Sequence, residues 1–114
     1  MNSSAEDRLD LIQKAYEAAA RRREADVMAA QTVEERDRIL ANCDALELAF
    51  LKARRQSLEA SGAGVEAAYQ AARDATDAVE TAYRQGKGIA DKIRSVSGAL
   101  QAITSLVGKA SGAA

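Results

Sequence analysis

The chain is predicted to fold as an all-α, antiparallel up-down bundle of about four helices packed along coiled-coil-like seams. Three observations carry this. Proline is absent and alanine fills 27 of 114 positions, which favours helix nearly everywhere. Apolar residues recur at alternating spacings of four and three, one side chain per turn on a single helix edge. Two Gly-containing breaks, Ser61-Gly62-Ala63-Gly64 and Gln85-Gly86-Lys87-Gly88, separate segments of matched length. One domain is expected over residues 1–114, with helices at about 4–30, 33–60, 64–85 and 89–107 and a frayed tail at 108–114.

The first helix starts at Ser3 or Ser4. Each hydroxyl precedes an acid by three residues, and the pair Ser3 and Glu6 fits a capping box. Its seam is Ala5, Leu9, Ile12, Tyr16 and Ala19; continuing it lands on Arg23 and Asp26. Thr32-Val33-Glu34-Glu35 signals a second start. The second seam, Ile39, Cys43, Leu46, Phe50 and Ala53, is broadened by Leu40, Leu51 and Leu58 and is out of phase with the first. The chain therefore either turns near Ala30–Thr32 or runs as one long helix over 5–60 with a helical hairpin packed along it. Gly62 can take the left-handed conformation that ends the second helix.

The third seam is Val65, Tyr69, Ala72, Thr76, Val79 and Tyr83, and the fourth is Ile89, Ile93, Val96, Leu100, Ile103 and Val107. Tyr83 to Ile89 is a step of six, which breaks the rhythm between them. The third helix is rich in alanine, so another helix can approach it closely. The fourth is uncharged from Ser95 to Gly108, with Lys87, Lys92, Arg94 and Lys109 near its ends.

Leu, Ile, Val, Phe and Met number only 23, a thin core that gains from long helices in close contact or from a partner. The net charge of −1 argues against a general nucleic-acid binder. Arg21, Arg22, Arg23, Arg54 and Arg55 lack aromatic interleaving for base stacking, and a solvated face accounts for them. Without histidine there is no Ser-His-Asp or Cys-His pair, no imidazole zinc site and no Glu-x-x-His carboxylate motif. Glu34, Glu35 and Asp37 suit the positive end of a helix dipole better than a cation, because Arg36 and Arg38 sit among them. Gly86-Lys87-Gly88 lacks the spacing, the following hydroxyl and the preceding strand of a phosphate loop. Cys43 lies in an apolar seam and reads as a buried, inert thiol. No cofactor and no metal is expected.

These readings lead to a non-enzymatic helical module for protein–protein interaction or self-assembly, whose partner is itself or another helical protein. The expected partner-binding residues are Val79, Tyr83, Ile93, Val96, Leu100 and Ile103, and Leu100→Asp is expected to abolish assembly. The alternative is a small membrane-active protein, toxin-like or effector-like, that lays its basic amphipathic C-terminal helix on an anionic membrane surface. No signal peptide and no run of about 18 apolar residues is visible, so a cytoplasmic location is expected.

Overall fold

A computed structural model describes residues 2–112. It is all-helical, with α1 (Ala5–Ala29), α2 (Val33–Arg55), α3 (Ala63–Arg84) and α4 (Ile89–Ala110). The principal extents are 42 × 25 × 20 Å.

Each helix begins and ends for a local reason. Ser4, not Ser3, caps α1: its hydroxyl accepts from Asp7 N while Asp7 Oδ2 accepts from Ser4 N, at 3.0 Å each. Ser3 is drawn away by Glu66, which accepts from both its backbone N–H and its hydroxyl. Thr32 caps α2 through a 3.1 Å bond from Glu35 N. The chain turns at Ala30–Thr32, which rules out the long helix over 5–60. At the end of α3, Lys87 N donates to Ala82 O and Gly86 N to Tyr83 O, with Gly86 at φ +66°. This is the double-bonded left-handed ending that glycine permits.

Helices α1 and α2 pack as one antiparallel hairpin and α3 and α4 as another, and the hairpins meet chiefly through α2 and α4. Helix α1 also touches α4 and, least of all, α3; α2 and α3 do not touch. The link between α2 and α3 therefore crosses a diagonal of the bundle. Helices α1 and α3 run parallel in nearly constant register, since Arg8 meets Glu66, Arg22 meets Glu80 and Asp26 meets Tyr83.

Three expectations about the chain's boundaries need correction, and one group explains most of them. Helix α2 stops at Arg55 rather than near residue 60, and Gly62, at φ +125°, opens α3 instead of closing α2. Leu58 leaves the helix to become buried, 3% exposed, in the end of the core. Arg8 holds it there. Its Nη1 donates to Leu58 O at 2.6 Å and to Ala60 O at 2.7 Å. Its Nη2 reaches Ser3 O and Glu66 Oε2, and its Nε reaches Ser3 Oγ. In a continuing helix those two carbonyls would accept from the backbone; here the guanidinium takes them. Helix α4, in turn, does not fray at 108. It runs to Ala110, fully buried, whose carbonyl accepts from Ala60 N at 2.9 Å. The crossing link thus satisfies one of the carbonyls that a helix end leaves free. Residues 113–114 of the expected tail lie outside the described residues.

The core contains Ile12, Leu46, Ile103 and Leu106 as its most deeply buried large side chains, with alanines from all four helices between them. Burying each large aliphatic side chain contributes about 1.5–3 kcal/mol.

Candidate functional site

The six residues singled out for partner binding turn inward to differing degrees. Val79, Val96 and Ile103 are buried in the core. Tyr83, Ile93 and Leu100 are half-buried, and Tyr83 and Leu100 pack directly against it. Their seam mates are the other helices of the same chain, so a partner reaching Ile103 must first part the bundle.

Tyr83 anchors a polar cluster where α1, α3 and α4 meet. Its hydroxyl donates to Asp26. The Arg22 guanidinium lies over its ring at 4.1 Å from the centroid, and Lys92 Nζ approaches at 5.0 Å. Arg22 also donates to Glu80 Oε2 at 3.1 Å, and this ion pair holds the Glu80 carboxyl below the usual range. Glu80 thus turns to α1 rather than to Arg84 on its own helix. Burial, then the bond to Asp26, pushes the Tyr83 phenol well above its ordinary value. Nearby, Asn42 donates to Ser97 Oγ at 3.0 Å across α2 and α4, and Cys43 Sγ lies 3.6 Å from Ala19 O. Burial pushes the Cys43 thiol above its ordinary value.

The interior voids lined by Tyr83 and Val96 hold about 10 Å³ each, roughly one water and far below a substrate. The open concavities are on the outside. One, of about 300 Å³ between α1 and α3, is walled by charges of both signs, including Asp10, Lys14, Arg73 and Asp77. Another, of about 230 Å³ on the α1 side of α2, carries Arg23, Asp44 and Glu47.

The third differs in chemistry. It is a trough of about 350 Å³ between α2 and α4, lined by Ala45, Leu48, Ala49, Lys52, Thr104 and Gly108 among others. Several short side chains, Ala45, Ala49, Thr104 and Gly108, leave room for the trough. Counting from the Asn42–Ser97 bond, Ala45, Ala49 and Lys52 on α2 run beside Leu100, Thr104 and Val107 on α4 at spacings of three and four. Lys52 is the single charged residue in its lining among the described residues. Leu48 stands at its edge 54% exposed, and Leu51, one turn on, is 42% exposed.

The sequence reading missed this surface. It assigned Leu51 to the buried stripe of α2, whereas the structure turns it to solvent. The available signal was Leu48, which falls off the seam Ile39, Cys43, Leu46, Phe50, Ala53 and so had no place in the core. The uncharged run of α4 from Ser95 to Gly108 was visible, and its outward positions Gly98, Gln101, Thr104 and Ser105 are exposed.

No helix among the described residues is long and apolar enough to cross a membrane, and no His, Cys, Asp and Glu group there could hold a metal ion. Compared with protein-family models, curated proteins and solved structures, the chain matches none.

Proposed function

We propose that the protein is a non-enzymatic helical interaction module that receives a helix, from another copy or from another helical protein, along its outer α2–α4 trough. The observation that supports this is the trough itself: a shallow, nearly uncharged channel edged by the exposed Leu48, on a chain that is 29% charged. Exposed apolar surface rimmed by polar groups is the usual mark of a docking face. In helix-in-groove recognition an amphipathic helix lays its apolar face into such a channel. The inner seams, including Val79, Val96 and Ile103, hold the module together and keep its face rigid.

The membrane reading requires α4 to leave the bundle. Ile103, Leu106 and Ala110 on that helix are fully buried, which weighs against release.

A photoreactive phenylalanine at exposed Gln101 tests the proposal, with the same group at exposed Gln70 on α3 as control. The expected result is an adduct from Gln101 alone, formed with a helical polypeptide that rebinds in purified form and loses at least about tenfold affinity to Leu48→Asp. Adducts that are absent, equal at the two positions, or insensitive to Leu48→Asp overturn it.

A further inference from the structure

We infer that one occupant of the α2–α4 face is a second copy of this chain, paired through α2 about a two-fold axis at Leu48. The inference rests on the interaction reading above and specifies its partner.

The outward stripe of α2 is ordered by sign. Asp37 and Asp44 occupy its N-terminal half, Lys52 and Arg55 its C-terminal half, and Leu48 lies between; all five are exposed. Neither Asp44 nor Lys52 is engaged in an ion pair among the described residues. A two-fold axis makes the same patch serve both partners. Laid antiparallel with Leu48 against Leu48, residue i of one α2 faces residue 96 minus i of the other, which is simple arithmetic on the sequence. Asp44 then faces Lys52, twice over. Leu51 then stands level with Ala45, an uncharged residue that lines the trough. A parallel pairing would instead set Asp44 beside Asp44 and Lys52 beside Lys52. The sign order of the stripe therefore selects the antiparallel arrangement.

The test uses the full chain and two variants at exposed positions, Asp44→Lys and Lys52→Asp, in sedimentation velocity at low salt. Wild type is expected to approach the mass of a dimer as concentration rises toward about 1 mM. Each single variant is expected to remain a monomer where wild type is dimeric, because every cross-axis pair becomes like-charged. Mixed one to one, the two variants are expected to form a heterodimer, since both contacts are again opposite in sign. The double variant is expected to regain self-association. Circular dichroism on each confirms retained helicity. A wild type that stays monomeric throughout overturns the self-pairing, as do single variants that dimerise like wild type or a mixture that stays monomeric. A monomeric wild type with a Leu48-dependent adduct at Gln101 overturns only this inference; loss of the adduct overturns the broader reading.

Discussion

Arg8 is the residue on which the architecture turns. Its guanidinium is 3% exposed and engages Ser3, Leu58, Ala60 and Glu66 at once. Arg8→Met would leave the Leu58 and Ala60 carbonyls without that donor, and a loss of about 3 kcal/mol is expected in urea melts. Arg8→Lys is expected to recover little, because an ammonium cannot reproduce the planar fork of donors. The same network predicts an acid response. The Ser3 N–H, followed by Arg8, holds Glu66 below the ordinary carboxylate range, and Arg22 does the same for Glu80. A carboxyl whose value is lower in the folded than in the unfolded chain stabilises the fold above the unfolded value, about 4.3. That contribution is lost as pH falls through the folded value. The thermal midpoint should therefore drop below about pH 4, and the Glu66→Gln, Glu80→Gln double variant should show a shallower drop. An identical pH profile for the two proteins would contradict these assignments. None of this network was legible beforehand, because periodicity identifies apolar stripes and is blind to a buried charge whose partners are 50 to 58 residues away.

At the scale of elements, the seams located the helices well and their ends less well. The breaks at 30–32 and 85–88 coincide with capping and glycine signals. The end of α2 does not, because residues 56–60 carry no breaker and are pulled out of the helix by tertiary contacts. The N-cap of α1 was ambiguous between two serines, and Glu66 decided it. Glycines separate the same way. Gly62 adopts a positive φ that side chains resist, so Gly62→Ala is expected to destabilise by about 1 kcal/mol or more. Gly98 lies inside α4 with open space where a Cβ would go, and Gly98→Ala is expected to stabilise by about 0.5–1 kcal/mol. Chemical denaturation of the pair checks both signs, and equal effects would contradict this account of the crossing link.

At the scale of the whole molecule, four thin seams close on one another within one chain, and what is left over defines the outside. Most seam residues pack within the bundle, Ile89, Ile93 and Leu51 apart, and their regularity also suggests a partner face. The structure places half of that set in the core. The α2–α4 trough, with Leu48 at its edge, lies off the seams, where periodicity gives no cue beyond a leucine out of phase. Core and proposed docking face should therefore separate by mutation. Ile103→Ala is expected to cost about 2–5 kcal/mol of stability, whereas Leu48→Asp is expected to leave the fold intact.

The most direct test is light scattering on wild type and Leu48→Asp across the same concentration series, with the thermal midpoint of each recorded at low concentration. Association that is lost in Leu48→Asp while the midpoint stays unchanged is the predicted result. Association that survives the substitution, or that disappears together with the fold, would contradict an outer docking face on a bundle closed within one chain.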